Sequence, residues 1–265
     1  MVTLFSISRN TGNLSCRRPA ILIVAHHLFP INLTPQSFPI IFRLLHESFD
    51  HVSNILEIQQ GIIYSGQPKN KVFSNSATSN KHKPVLDGRD VLKWKINWSE
   101  KRENKYIYYT NRLHRPREER LFLANEKILL PRKSTSISCA YDVEQYYALN
   151  TSYLCLLTNE HYYLKYILAC LNSKLLNYFY SRLFFGWQIT IPALNMLPIK
   201  RISMTEQKPF VDLIDQILAM TKDEDYLANP AKQANVKEYE RQIDQLVYKL
   251  YEVEEIEVVE GKYKK

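Results

Sequence analysis

Residues 162–186, YYLKYILACLNSKLLNYFYSRLFFG, constrain the fold more than any other stretch, because read as a helix they are apolar on almost every face. An amphipathic surface helix needs cover on one side only, whereas a segment of this kind needs neighbours all round it and so belongs inside a layered body. The chain has the material for one: 265 residues, 45% of them apolar, are enough to enclose a core. The segment is predicted to break near Asn172-Ser173 and to stop at Gly186. The other notable apolar run, Ala20 to Ala25 behind Arg17 and Arg18, is too short to span a bilayer and lacks a cleavage site, so it reads as a buried strand rather than a signal sequence. No other segment has the character of a membrane span. The four cysteines, Cys16, Cys139, Cys155 and Cys170, lie far apart with no CxxC pair. That spacing suggests neither a zinc ribbon nor a disulfide framework and fits a reducing cytoplasm.

Around this segment the periodicities change along the chain. Residues 1–35 show little pattern. From Phe38, PIIFRLLHESF is an amphipathic helix ending near Asp50, with Pro39 suited to its first turn, and NILEI follows as a short strand. Residues 59–83 mix Gly, Ser, Asn, Pro and Lys and are expected to form a long, mobile, functional loop. Four β-leaning runs come next, KYIYYT, EKILLP, SISCAY and SYLCLL, enough for a small mixed or antiparallel sheet. Beyond the buried segment, residues 206–220 and 236–251 carry helical stripes, the first through Phe210, Leu213, Ile214, Ile217 and Leu218, with TKDEDYLANPAKQ as a polar connection. The expected fold is α+β: a small curved mixed β-sheet followed by a helical C-terminal region. Its divisions are an N-terminal extension (1–37), a main domain (38–204) and a helical region packed on it (205–265).

The charge is localised. Formal net charge is +8, and residues 81–133 hold 15 Lys or Arg against 7 Asp or Glu, so this one segment accounts for the whole excess. The last 45 residues, with 8 basic and 11 acidic side chains, point away from a polyanion. A concentrated basic stretch is what a phosphate-backbone surface requires, since each neutralised phosphate releases condensed counterions. Aromatic residues interleave with it: Lys93-Trp94-Lys95, then Lys105-Tyr106-Ile107-Tyr108-Tyr109, then Arg112, His114, Arg115, Arg117 and Arg120. Arg132-Lys133-Ser134-Thr135-Ser136 offers cations with hydroxyl donors. Arginine can grip phosphate or form a bidentate pair with guanine, whereas lysine chiefly adds charge. The competing reading makes Trp94, Tyr106 and Tyr108 sheet core and the charges their solvated flanks.

Catalytic patterns are weak by comparison. Only 6 glycines occur, with no Gly-rich turn for a nucleotide cofactor and no Asn-Pro-Pro-Tyr loop for a flipped base, Asn229-Pro230 being followed by Ala-Lys in a polar linker. Asp90 with Glu103-Asn104-Lys105 has loose metal-nuclease spacing, but short matches of this kind arise often by chance and read better as a charged rim. The histidines lack a metal-binding helical pairing, and no Gly-x-Ser-x-Gly elbow is present.

In succession, EIQQGIIYSG (57–66), KPVLDGRDVLKW (83–94), NEKILLPR (125–132), AYDVEQYYALNTSYLCL (140–156), YILACLNSKLLNYFY (166–180), LPIKRI (197–202) and ERQIDQLVYKLYEVEEIEVVEG (240–261) resemble the TaqI-like C-terminal specificity domain of adenine-specific restriction-modification methyltransferases, including fused methyltransferase-endonucleases. The resemblance covers roughly residues 50–261. It implies a module that recognises double-stranded DNA sequence across a cleft from a catalytic domain, which flips and methylates the adenine. S-adenosylmethionine, and Mg²⁺ where a nuclease is present, then belong to that methyltransferase or endonuclease partner and not to this chain. The family's catalytic and cofactor motifs precede such a domain, and residues 1–49 contain neither. The expected DNA contacts are Lys93, Lys95, Arg112, Arg115, Arg117, Arg120, Arg132 and Lys133, with no catalytic, cofactor or metal residues. The alternatives are an incomplete methyltransferase or restriction enzyme active only with a partner, and a nonspecific nucleic-acid-binding protein.

Overall fold

The computed structural model describes residues 20–24, 27–31, 33–98, 103–184 and 186–262. The chain opens with a hairpin, β1 (Ala20–Val24) and β2 (His27–Ile31), then helix α1 (Ser37–His46), β3 (Asp50–His51) and β4 (Leu56–Gln60). Short elements follow: α2 (Lys69–Val72), β5 (Phe73–Ser74), β6 (His82–Leu86), β7 (Val91–Leu92), β8 (Lys95–Ile96), β9 (Tyr106–Tyr108) and α3 (Arg120–Leu123). Four longer-range strands are β10 (Lys127–Pro131), β11 (Ala140–Asp142), β12 (Tyr147–Ala148) and β13 (Ser152–Leu157). The remainder is α4 (Leu164–Asn172), α5 (Lys174–Leu183), α6 (Ile191–Asn195), β14 (Pro198–Ile199), α7 (Met204–Thr221), α8 (Pro230–Leu250) and α9 (Ile256–Val259). The fold is α+β. The expected N-terminal extension (1–37) lies mostly outside the described residues, as does Cys16.

The central sheet is antiparallel in the order β11-β10-β13-β4. Successive side chains of a strand point to opposite faces, and here both faces are buried. Ile128, Leu130, Tyr153 and Cys155 enter a large core shared with the helices, while Leu129 and Leu154 enter a smaller core on the other side. Burial on both sides explains why KILLP and SYLCLL are near-continuous apolar runs rather than alternating ones. The second core is closed by a mixed sheet in the order β12-β6-β9-β5, in which β12 runs parallel to β6 and the other pairs are antiparallel. KYIYYT therefore does not join the first sheet. Its strand pairs with β6 and β5, and the fourth place in the central sheet is taken by β4, from the NILEI stretch.

One ion pair lies inside the central sheet. Lys127 faces Asp142 across the β10–β11 pairing, Nζ to Oδ2 is 2.7 Å, and both side chains are 0% exposed. The ammonium also donates to the Phe122 carbonyl at 2.7 Å, and the carboxylate accepts from the amides of Glu144 (2.8 Å) and Tyr146 (3.1 Å). Buried charges persist only when partnered in this way.

The apolar segment forms α4 and α5, buried along most of its length as its composition requires, with Lys174 and Ser181 of α5 left exposed. Ser173 divides them: its hydroxyl donates to the Cys170 carbonyl (2.7 Å) and accepts from the Leu176 amide (3.3 Å), ending one helix and capping the next. Asn172, beside it, holds both backbone groups of Cys139 at 2.7 and 3.0 Å and so ties the break to the sheet. Helices α7 and α8 pack on this layer, Phe210, Ile214 and Val247 sharing one core with Ile40 and Leu44 of α1. Helix α8 begins at Pro230, earlier than the apolar stripe suggests, because Asn229 accepts from the Lys232 amide and Pro230 fills the first turn. Residues 59–83 are also more structured than a polar loop: Ile62 (0% exposed), Val72 (1%) and Phe73 (9%) are core.

Candidate nucleic-acid interface

Both sheets end on the same side of the molecule. Strand β4 finishes at Gln60 beside Tyr153, β10 finishes at Pro131 beside Ser152, and β6 and β12 finish together at Leu86 and Ala148. The loops that leave these ends converge on the turn 149–151. Gly88 N–H donates to Thr151 Oγ1 at 2.8 Å, Arg132 N–H to the Thr151 carbonyl at 2.8 Å, and Asn150 N–H to the Ile62 carbonyl at 2.9 Å. Two glycines permit the crossing. A Cβ on Gly61 would lie 2.3 Å from the Ala148 carbonyl oxygen, and one on Gly88 would lie 2.6 Å from that of Thr151. Ile63 then pairs with Arg115, which brings the loop 110–117 to the same end, and Gln67 Nε2 donates to the Arg112 carbonyl at 2.9 Å. The Ile189 amide donates to the Arg132 carbonyl at 2.8 Å and places residues 186–189 at the rim.

Five of the eight expected contact residues meet here. Arg112, Arg115 and Lys133 are exposed, and Lys133 holds its ammonium 5.7 Å from the centre of the Trp187 ring. Arg117 is half-buried in the left-handed region (φ 68°), its Nε donating to the Gly61 carbonyl at 3.2 Å. Burial first, then the neighbouring Arg115 charge, hold its guanidinium below the usual arginine range. Arg132 is half-buried, with Nη1 3.5 Å from the Asn150 carbonyl; with the Gln188 amide oxygen turned toward it, that oxygen accepts from both Nε and Nη2 at 2.6 Å. Between the loops 87–93 and 131–138 runs a cleft of about 570 Å³ lined by Arg89, Lys93, Lys133, Ser134 and Ser136 among others, so that Lys93 borders it although its ammonium is paired with Glu240.

The other three cations are engaged within the protein. Lys93 pairs with Glu240 of α8 at 2.6 Å, and the same carboxylate oxygen accepts from the Trp94 indole N–H at 2.6 Å. Lys95 donates to the carbonyls of Thr221 (2.6 Å) and Asp223 (3.0 Å), where the last carbonyls of α7 need donors. Burial lowers its affinity for the proton, against the nearby carboxylates of Asp223, Glu224 and Asp225. Arg120 forms a fork with Glu57 at 2.8 and 2.9 Å and a further bond to Glu118 at 2.6 Å, and these acids hold it above the ordinary arginine range. For the two lysines the turn that joins β7 to β8 is responsible: Trp94 sits at φ 67°, 3% exposed, between Lys93, which pairs with α8, and Lys95, which reaches the end of α7.

Sequence reasoning passed over three rim residues. Arg89, with a side chain 90% exposed, stands in a one-turn helix whose capping box is formed by Asp87 and Asp90. The Asp-Gly-Arg-Asp string was a readable signal for that turn. Trp187, 65% exposed, and Gln188 follow the helix-stopping Gly186, and a tryptophan just outside a buried helix was the available sign. The metal-nuclease pattern does not assemble as a donor set: Asp90 accepts from the Asp87 amide in the capping box, and among the described residues no group of three or more His, Cys, Asp or Glu is placed to hold a metal. Among the described residues, too, no helix is long and apolar enough to cross a membrane.

Residues 83–199 match the family model described as the TaqI-like C-terminal specificity domain, a narrower span than the 50–261 of the sequence resemblance. Similar solved structures include the type IIL restriction-modification enzyme MmeI in complex with DNA (11% identity, TM-score 0.49, covering 76% of this chain and 33% of that one). The type IIG restriction endonuclease BpuSI is similar at 9% identity and TM-score 0.44 (81% and 33%), and the HsdS subunit from Thermoanaerobacter tengcongensis at 12% and 0.39 (82% and 50%). The chain thus spans about a third of the length of the first two and half of the third. No curated protein matches the sequence.

Proposed function

With a TaqI-like C-terminal specificity domain at residues 83–199, we propose that this chain is the DNA target-recognition module of a restriction-modification system, reading duplex sequence for a catalytic domain that lies outside it. The observation that carries the reading is the placement of loop cations at one end of a two-sheet frame: Arg89 and Lys133 on the cleft, Arg112, Arg115 and Arg117 tied to the 61–67 loop, and Arg132 tied to Thr151. Loops on a fixed scaffold suit recognition because the frame sets their position while their side chains supply the contacts. Exposed Arg112, Arg115 and Lys133 provide phosphate affinity, and the hydroxyls of Ser134 and Ser136 add backbone or base donors. Lys93, Lys95 and Arg120 are paired within the protein, to Glu240, to the carbonyls of Thr221 and Asp223, and to Glu57 and Glu118, and are assigned the lesser part in DNA contact. The partner is an adenine-specific methyltransferase, an endonuclease or both; S-adenosylmethionine and Mg²⁺ bind there, and the complex works in the cytoplasm, where the host DNA is.

Selection of bound duplexes from a random-sequence pool at about 0.15 M salt, where phosphate-only binding is weakened, tests this. One short enriched motif is the expected result. Equal recovery of all sequences would refute sequence recognition by this chain.

A further inference from the structure

Arg132 differs from the other rim cations in how firmly it is held. Its backbone is bonded on both sides, the amide to Thr151 and the carbonyl to the Ile189 amide, each at 2.8 Å. Its guanidinium is gripped along one edge by the Gln188 amide oxygen, which accepts from Nε and Nη2 at 2.6 Å each, and the Asn150 carbonyl lies 3.5 Å from Nη1. Gln188 in turn stands next to Ile189, which is 0% exposed and whose carbonyl accepts from the Tyr153 hydroxyl at 3.0 Å. The support for the guanidinium therefore reaches into the core of the central sheet.

A guanidinium has five N–H donors in a fixed plane. Gln188 takes one from Nε and one from Nη2, and the Asn150 carbonyl faces Nη1, which leaves the far end of the fork, one hydrogen on Nη2 and one on Nη1, as a parallel pair. In the major groove, guanine presents two acceptors, N7 and O6, on a single base edge, and adenine and the pyrimidines do not. We propose that Arg132, positioned by Gln188, is a specificity-determining residue that reads a guanine in the target sequence, with Trp187 and Lys133 flanking it on the same lip. This rests on the recognition function proposed above. A residue kept only for phosphate attraction has no need of such immobilisation, because a phosphate accepts from many directions; Arg112 and Arg115, which are exposed, suit that role.

The test is the same pool selection with the full chain as wild type, Arg132→Lys, Gln188→Ala and Gln188→Glu, alongside the salt dependence of affinity for the selected site. Arg132→Lys keeps the charge and removes the fork. It should abolish the preference for guanine at one position, a loss of roughly 5- to 150-fold in discrimination there, while the other positions and the salt slope stay as in wild type. Gln188→Ala should blur the same position, and Gln188→Glu, which restores an acceptor, should recover it. An Arg132→Lys protein that selects the unaltered motif overturns the assignment and leaves sequence recognition standing. So does one that loses affinity equally for every sequence, with no position of the motif singled out, which is what a contact to the backbone rather than to a base would give. If Arg132→Lys does not fold, the two Gln188 variants decide the matter by whether that one position changes. A wild type that enriches no motif removes the recognition function and this inference with it.

Discussion

Replacing Lys127 by methionine isolates the energetics of the buried ion pair, since the stem is kept and only the charge and its donors go. In the folded protein the Asp142 carboxylate would then retain the amides of Glu144 and Tyr146 but lose the ammonium at 2.7 Å, and the Phe122 carbonyl would lose its donor. Breaking one side of a fully buried pair costs about 3–5 kcal/mol, because it strands the remaining charge. That is a large share of the roughly 5–15 kcal/mol that holds a domain together. The loss should depend on pH. Burial already raises the proton affinity of Asp142 above the ordinary carboxylate range, and Lys127 opposes that rise. Without the lysine the folded-state pKa moves further above the unfolded value. The folded variant then binds more protons than the unfolded chain, so its stability falls as pH rises through the interval between the two values. Urea unfolding with linear extrapolation, compared with wild type at pH 7 and pH 5, measures this. The expected outcome is a penalty of about 3–5 kcal/mol at pH 7 that shrinks at pH 5. A penalty below about 1 kcal/mol, or one that does not change with pH, would refute the argument that the pair is a buried charge pair at all.

The division of the basic residues is separately testable. Arg115→Ala should lower affinity for all duplexes alike and reduce the slope of log affinity against log salt by about 1, whereas Arg120→Ala, whose charge is answered by Glu57 and Glu118, should leave the slope unchanged; filter binding across a salt series reads both. Lys95→Met should destabilise the protein by about 1–2 kcal/mol in urea, through the uncapped carbonyls of Thr221 and Asp223, with little change in DNA affinity.

The helices were largely legible in the sequence because each carries its own signal. The all-round apolar segment predicted burial, and Asn172-Ser173 marked its break. Helix α8 starts at Pro230, before the expected 236; its first turns are polar and carry no apolar stripe, so that its start is marked only by the Asn229 cap and Pro230. The sheets were less legible. Strand pairing joins residues far apart, and nothing local to KYIYYT says that it pairs with His82–Leu86 rather than with KILLP. In the site, residue type marks the basic segment but not which of its cations are paired within the protein. For Lys93 and Lys95 that depends on Trp94, whose left-handed backbone in a two-residue turn lies between the lysine that pairs with α8 and the one that reaches the end of α7. The rim residues Trp187 and Gln188 lie outside the basic stretch altogether, and non-local contacts bring them to it: the Ile189 amide on the Arg132 carbonyl, Gln188 on the Arg132 guanidinium and Trp187 beside Lys133.

The central sheet, enclosed on both faces, has lost the usual safeguard against slippage. Where one face meets water, shifting a strand by a single residue turns its apolar set outward and is heavily penalised. Between two cores the same shift merely exchanges Leu129 for Ile128 or Leu130, one greasy surface for another. Lys127 and Asp142 restore the penalty, because any other alignment strands two charges in oil. The ion pair thus acts as a locating pin for β10, and through it for Arg132, the next residue beyond the strand. A chain without the pin is expected to show a second set of amide resonances from misaligned pairings, and the recognition loops would lose their aim before the protein lost its fold.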